Sequence, residues 1–239
     1  CEDEPRTVDS VVDRYIEAIR GLIPEETTGW LPLTGGVDSR VLASFVSRAP
    51  GLRSYTRGIK TSGECATASK VARAAHVSHR AYPFDRGYLE KYALLVVKLT
   101  GGMTSFDNGH AIHPLGKLQK VNGDVIIPGI NGEYGRSFWS PKMMEEGVST
   151  AEEAGSKVFS VESMARKKEI RELLTDEALA LHDELKAGYV KLYQDAAACS
   201  RYDHPIAWND EFYLRNRVRT FTSHGAAIWN TRFKLLLPY

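Results

Sequence analysis

The sequence predicts an α/β fold: a parallel sheet sandwiched by helices, with a mainly helical C-terminal part. Three observations carry this expectation. From Val8 to Gly129, short apolar runs bounded by turn residues alternate with stretches of helical periodicity, the pattern of a parallel sheet covered on both faces. A glycine-rich turn, Thr34-Gly35-Gly36-Val37-Asp38-Ser39, joins the first apolar run to a helix. Beyond residue 140 the short apolar runs cease and charged helical stretches take over. Residues 1–140 are read as the α/β core and residues 141–239 as its helical continuation, together one unit without internal repeats or low-complexity segments.

The elements follow in order. Val8, Val11, Val12, Tyr15, Ile16, Ile19, Leu22 and Ile23 keep the spacing of an amphipathic helix, which Pro24 and the run "EETTG" end. "WLPLT" is a short buried strand, with Pro32 fitting best at a strand end or bulge. Ser39 to Ser47 read as a helix stopped by "RAPG". "LRSYTRGI" is the second strand. An Ala-rich helix follows it, with Thr61 and Glu64 spaced as a capping box. "SHRAYPF" is the third strand, and Tyr88, Tyr92, Leu95, Val96 and Leu99 mark the next helix. "HAIHPLGKLQKV" is a weaker, Pro-interrupted helix, and "DVIIPG" is the fourth strand. Further on, Ile170, Leu173, Leu174, Leu181 and Leu185 keep helical spacing within a charged background, and "MARKKEIRELLTDE" is a charged helix face. "NDEFYLRNRVRTFTSHGAAIW" is a last helix, capped by Asn209 or Asp210.

Composition narrows the function. The 239 residues are 43% hydrophobic, enough for a sizeable core. Thirty-one Lys and Arg against 30 Asp and Glu leave almost no net charge, so no nucleic-acid groove is expected. No apolar run approaches the roughly 20 residues of a membrane span. Cys1, Cys65 and Cys199 form no CxxC pair, which argues against a disulfide framework and against structural zinc and for a reduced, cytoplasmic compartment. Cys1 invites two functional readings: an N-terminal nucleophile, which needs a surrounding glutaminase fold, and a lipid-modified residue, which needs a signal segment. The reading preferred is a trimmed boundary.

The glycine loop carries the chemistry. Parallel α/β sheets bind ligands at the carboxyl ends of their strands. Gly35 and Gly36 let the backbone turn tightly and bring N–H groups close to phosphate oxygens. Thr34 and Ser39 add hydroxyls, and the helix beginning near Ser39 offers its positive end. Asp38 is the odd member, since a carboxylate repels phosphate. It makes sense as a ligand of Mg²⁺, which takes one or two carboxylates together with phosphate oxygens. The Lys of GxxxxGK[ST] is missing, and GxGxxG does not match an adjacent glycine pair. The plain alternative is a strand-to-helix turn capped by Ser39.

"LTGGVDSR" resembles the SGGxDS loop of the ATP pyrophosphatases, whose fold is the adenine nucleotide alpha hydrolase-like, PP-loop type. Within them it is most similar to the synthetase domain of class B asparagine synthetases and their relatives, including β-lactam-forming synthetases. The resemblance implies that the loop cradles the pyrophosphate released from ATP and that Asp38 binds Mg²⁺, with Thr34 keeping the hydroxyl of the usual Ser. "YTRGIKTSGECATASKVARAAHV" supplies Gly58 and Glu64 where the family has a Gly and an acidic residue near the adenosine. Glu64 also has its place in the capping box. The adenosine is then expected along Leu33, Gly58 and Ile59. "IIPGINGEYGRSFW" is similar to the family's "SGxGxDExxGGY" loop: Gly129, Asn131 and Gly132 shape the turn, and Glu133 stands at the position of the second metal-binding carboxylate. Arg136 is placed to meet pyrophosphate. "YLRNRVRTFTSHGAAIWNTRFKLLLPY" resembles the late Arg-rich helix and the turn beyond it.

The departures matter equally. The family's catalytic Glu falls near Leu99 to Ser105, where "LTGGMTSFDNG" has no carboxylate before Asp107. The family's catalytic Lys lies further downstream than Tyr239, and no glutaminase domain accompanies the loop. The resemblance implies an ATP- and Mg²⁺-dependent ligase that adenylates a small-molecule carboxylate, releases pyrophosphate and forms an amide with an amine or ammonia. A separate glutaminase or partner subunit is then expected, with neither nucleic acid nor membrane as partner. The alternative is a non-catalytic or partner-dependent ATP-binding module of the same descent. His76 with His79, and His110 with His113, are HxxH pairs lacking a third ligand and read as structural or surface histidines. His113 beside Pro114 is kept as a substrate-contact candidate. Arg215, Arg217 and Arg219 spread over different helix faces, as a solvated surface or as an anion-binding group.

Overall fold

The computed structural model describes residues 7–46, 48–103, 109–120, 124–129, 147–163 and 167–236, with the backbone alone described at 169, 217 and 219–225. The chain divides into two compact units, Cys1–Gly132 with Phe221–Tyr239, and Glu133–Thr220.

In the first unit the chain alternates helix and strand as expected. Helix α1 (Val8–Leu22) starts where the Thr7 side chain accepts from the Ser10 N–H. Its apolar stripe is covered only from Tyr15 onward; Val8, Val11 and Val12 are exposed. Strand β1 (Gly29–Pro32) is buried along its whole length, as the centre of a parallel sheet requires. Pro32, which has no N–H to give, is its last residue. Then come α2 (Val37–Val46), β2 (Leu52–Gly58), α3 (Gly63–Ala74), β3 (His79–Pro83), α4 (Tyr88–Thr100), the short α5 (Ile112–Leu115) and β4 (Val125–Ile126). Among the described residues only four of the "HAIHPLGKLQKV" stretch are helical, and no helix is long and apolar enough to cross a membrane.

All five strands are parallel, in the order β3-β2-β1-β4-β5. The strand β5 (Lys234–Leu235) at one edge has no counterpart in the sequence reading. Alternation along β1 separates two cores. Leu31 and Leu33 pack with Leu42, Val46 and Ala68 of α2 and α3 and with Ile19 of α1. Trp30 lies with Tyr55, Tyr82 and Ile126 of neighbouring strands, against Val96 of α4 and Ile228 of α10 (Ser223–Asn230). The sheet is thus covered by helices on both faces. Trp30, Tyr55 and Tyr82 form an edge-to-face row across three strands, with centroids 6.1 Å apart at each step, a geometry worth about 0.5–1.5 kcal/mol per pair beyond burial. Gly29 has φ +145°, and a Cβ there would lie 2.0 Å from the Val125 carbonyl oxygen, so β1 and β4 approach as only glycine allows.

One capping expectation is corrected. The side chain of Ser62, not Thr61, accepts from the Cys65 N–H and caps α3. Glu64 therefore sits one position too early for a capping box, because the chain turns at the Ile59 carbonyl, which Ser62 N–H meets at 2.9 Å.

The second unit is helical among its described residues. A full capping box between Thr150 and Glu153 opens α6 (Ala151–Glu162). Hydrogen bonds from the backbone and hydroxyl of Ser149 and the backbone of Thr150 hold the Glu153 carboxyl below its ordinary range. The expected helix through Ile170 to Leu185 is two helices, α7 (Lys168–Arg171) and α8 (Asp176–Ala198), separated at Thr175, which caps α8. Leu173, Leu181 and Leu185 are exposed, and the buried face of α8 is Tyr193, Ala196 and Ala197 instead. Helix α9 (Pro205–Phe212) starts earlier than expected. His204 is its cap, Pro205 occupies the first position, where no N–H is needed, and Asn209 is a buried interior residue that accepts from the Tyr193 hydroxyl. A π-helical segment, Tyr213–Thr222, runs on from α9.

Candidate functional site

The strand order places a topological switch point at β1. From it the chain winds outward through β2 and β3 on one side, and β4 adjoins it on the other. The loops leaving β1 and β4 therefore bound a crevice at the carboxyl ends of the strands, where open α/β sheets bind ligands.

The Thr34–Ser39 loop is built at this crevice. The Leu33 N–H reaches the Tyr55 carbonyl at 2.7 Å, and the Thr56 hydroxyl donates to the Leu33 carbonyl at 2.6 Å. These bonds fix the end of β1. Past it, Gly36 N–H donates to the Thr34 hydroxyl at 3.1 Å and Thr34 N–H donates to Ser39 Oγ at 3.2 Å. The two hydroxyls lie 3.0 Å apart, and the Thr34 and Gly36 carbonyls stand 3.3 and 3.2 Å from Ser39 Oγ. Ser39, 5% exposed, is thus a knot that ties the strand end to the first turn of α2. The first helical bond runs from Arg40 N–H to the Gly36 carbonyl. The N–H groups of Val37 and Ser39, in the first turn, consequently have no acceptor within the helix.

Thr34, Gly36, Asp38, Ser39 and Gly129 line one cavity of about 130 Å³. Gly129 is the close approach: a Cβ on it would stand 3.0 Å from Ser39 N and 3.3 Å from Ser39 Cα. The bare glycine leaves the loop after β4 against the donor end of α2. The other expected residues stand apart from the cavity. Gly35 packs against Thr67 of α3, Val37 is exposed, and the Leu33 side chain is wholly buried. Gly58, at φ +144°, and the exposed Ile59 lie at the end of β2. Glu133, Asn131, Gly132, Arg136 and Asp107 lie outside the described residues.

Two residues of the cavity escape the sequence reading. Arg57, the penultimate residue of β2, brings a guanidinium to its wall, and Trp229 of α10 brings an indole. The guanidinium carbon is 6.0 Å from the Trp229 ring centroid, and the indole N–H donates to the Tyr55 hydroxyl at 3.3 Å. Burial pushes the Tyr55 hydroxyl pKa up, with the Arg57 charge pulling against it, so Tyr55 stays a neutral partner. A charged residue at the carboxyl end of a parallel strand is itself a signal that identifies Arg57. Trp229, 172 positions later in the chain, has none.

The histidine pairs separate. His76 takes φ +53° just past α3, and His79 contacts the hydroxyls of Ser54 and Thr56 at 2.9 and 3.3 Å. His110 Nδ1 lies 3.2 Å from the Tyr88 hydroxyl. His113 is fully buried among Phe84, Tyr88 and Tyr92, with Nε2 2.9 Å from the Pro83 carbonyl. Burial first, and then the Lys117 charge, lowers its pKa. Among the described residues no group of three or more His, Cys, Asp or Glu is placed to hold a metal ion. Arg215 pairs with Glu211 one helical turn away, as a solvated ion pair; the side chains of Arg217 and Arg219 lie outside the described set.

The cavity therefore offers helix-terminal N–H groups, a guanidinium and hydroxyls, with one carboxylate among them. That combination has the donors and positive charge that suit an anion. No model of a known protein family matches the chain, and no curated protein matches it.

Proposed function

We propose that the chain binds ATP through the Thr34–Ser39 loop and belongs, as a PP-loop protein, with the asparagine synthetase-like ligases, adenylating a carboxylate and joining it to an amine or ammonia. One observation carries the reading: the TGGVDS loop, similar to SGGxDS, lies at the switch point of a parallel sheet, with Arg57 and Gly129 brought to the same cavity. At about 130 Å³ the cavity is below the roughly 300 Å³ at which pockets for whole small molecules begin. It suits the phosphate end of the nucleotide, with the adenosine directed toward Gly58 and Ile59 on the exposed end of β2.

Each residue then has a task. The first-turn N–H groups of α2 and the Arg57 guanidinium bind the β- and γ-phosphoryl oxygens and hold the charge that develops as they depart, the largest catalytic resource in such reactions. Gly129 leaves the space in which those oxygens lie. Ser39 and Thr34 keep the loop in one geometry, so that no reorganisation is needed at the moment of reaction. Asp38 fits as a Mg²⁺ ligand, since among the described residues it is the one carboxylate on the cavity wall. Bound there, Mg²⁺ supplies charge neutralisation on the departing pyrophosphate.

The non-catalytic reading has its own observation. At the end of α4, where the family's catalytic Glu falls, the described residues are Leu99, Thr100, Gly101, Gly102 and Met103, with both glycines at positive φ and no carboxylate present. ATP–pyrophosphate exchange, run with a panel of amino acids and dicarboxylic acids, separates the two. The ligase reading expects exchange in the wild type and its loss in Asp38→Ala. Exchange that survives Asp38→Ala refutes the mechanism. ATP binding without exchange for any acid favours the binding module.

A further inference from the structure

In the unit formed by Glu133–Thr220, α6 ends beside the second turn of α8. Ser163 caps α6, its N–H meeting the Phe159 carbonyl at 2.8 Å. Its hydroxyl lies 2.9 Å from Nε2 of His182, and Nδ1 of the same ring lies 3.3 Å from Oδ1 of Asp183. The Phe159 ring, 5.1 Å away between centroids, covers the imidazole, whose side chain is 19% exposed. A nucleophile within hydrogen-bond reach of a base, with the base oriented by a third group, is the arrangement that activates a hydroxyl. With the imidazole proton on Nδ1 and shared with Asp183, Nε2 is free to accept from Ser163. The three residues open onto a cavity of about 320 Å³, and Arg171 and Lys186 line it too.

We infer that Ser163, His182 and Asp183 form a hydrolytic triad acting on small acyl esters that carry an anionic group, with Arg171 and Lys186 providing the positive charge. Ser163 Oγ bonds to the acyl carbon while its proton passes to His182 Nε2. The bond from that carbon to the alcohol oxygen then breaks, and the alcohol leaves with the proton from Nε2. Water adds to the acyl carbon, giving a proton to Nε2. The carbon–Oγ bond breaks, Oγ recovers that proton, and the free acid departs. Nothing is oxidised or reduced. Lys186 and Arg171 are the cations placed for the oxyanion and for the substrate's own charge. The Asp183 side chain is 69% exposed, so solvent screens it and its share is orientation of the ring.

The test uses the full chain and a fluorophosphonate probe, with the adduct located by peptide mass spectrometry, alongside turnover of 4-nitrophenyl acetate and of the anionic ester 4-acetoxybenzoate. The adduct is expected on Ser163. Ser163→Ala should abolish labelling and turnover. His182→Gln should slow both by about 100-fold or more, and Asp183→Asn by about tenfold or less. Lys186→Gln with Arg171→Gln should slow 4-acetoxybenzoate more than 4-nitrophenyl acetate. Circular dichroism of each variant checks that it is folded. An adduct on another residue, equal labelling in folded His182→Gln, or turnover that persists in Ser163→Ala overturns the triad. Asp38→Ala should leave labelling unchanged, which keeps this result separate from that of the ATP site.

Discussion

Gly129→Ala offers the sharpest probe of the proposed phosphate site, because the structure fixes what the added methyl group meets. A Cβ at this position would stand 3.0 Å from Ser39 N and 3.3 Å from both Asp38 C and Ser39 Cα. Those neighbours are main-chain atoms of a helix start, which cannot rotate away as a side chain does, so the loop after β4 and the start of α2 must separate by a few tenths of an ångström. Overpacking of this kind costs about 1–3 kcal/mol. At about 2–4 °C per kcal/mol for a chain of this size, the melting temperature should fall by roughly 2–12 °C. The backbone at Gly129 is not in the left-handed region, so the loss comes from contact and not from φ. The methyl lies over the face of the Asp38–Ser39 peptide, and the separation it forces shifts the Ser39 N–H, a proposed phosphate donor. Pyrophosphate at 100 times its dissociation constant should stabilise the wild type by about 2.7 kcal/mol, and the variant, with that donor displaced, by less. Differential scanning fluorimetry with and without pyrophosphate and Mg²⁺ reads both effects. A variant with the wild-type ligand shift would refute the assignment of this cavity to phosphate, whatever its melting temperature.

Arg57→Gln should weaken pyrophosphate binding about tenfold or more, since hydrogen bonds to charged groups are worth about 1.5–3 kcal/mol; isothermal titration calorimetry showing unchanged affinity would remove Arg57 from the site. Ser62→Ala should lower stability by about 1 kcal/mol through loss of the α3 cap, while Thr61→Ala should leave it nearly unchanged; urea unfolding that ranks them the other way restores the capping box. His113 predicts a pH dependence. Its folded pKa lies below the ordinary 6.5, so below pH 6.5 the unfolded chain binds the proton more readily and stability drops as pH falls. The stabilisation is fully present above pH 6.5, and its loss is at most about 1.4 kcal/mol per pH unit for one histidine. His79, also shifted down by burial, adds to the same trend. Urea unfolding at pH 7.5 and 5.5 should show a smaller stability difference for His113→Phe than for the wild type; equal differences would refute the role of His113.

Much of the fold is legible in local sequence because each of the first four strands announces itself twice, by an apolar run and by the turn residues that close it. "WLPLT" does this through Trp30, Leu31 and Pro32, and the two-sided burial of β1 follows from its lack of alternation. The errors fall where a local signal has a competitor one or two residues away. Thr61 and Ser62 are both good caps, and the chain's turn at Ile59 selects the second. Asn209 has the chemistry of a cap, but burial beside Tyr193 uses its carbonyl oxygen inside a helix that His204 and Pro205 have already begun. The stripe Ile170 to Leu185 keeps one period across Thr175, which breaks it. β5 is two residues long, too short for its pattern to register.

The proposed phosphate site is legible where one loop carries it and illegible where the sheet assembles it. Thr34, Gly36, Asp38 and Ser39 are contiguous, so their pattern stands in the sequence. Arg57 arrives by the register of β2 on β1, in which Pro32 pairs with Tyr55, two residues before the arginine. Trp229 arrives from α10, positioned by its bond to the Tyr55 hydroxyl. Tyr55 therefore links the loop to both late arrivals: its carbonyl holds the Leu33 N–H, and its hydroxyl holds Trp229 and lies beside Arg57. A pattern search sees only the first partner. It follows that the loop supplies the donors common to any such turn, while the cation that adds charge to the site depends on packing around one buried tyrosine.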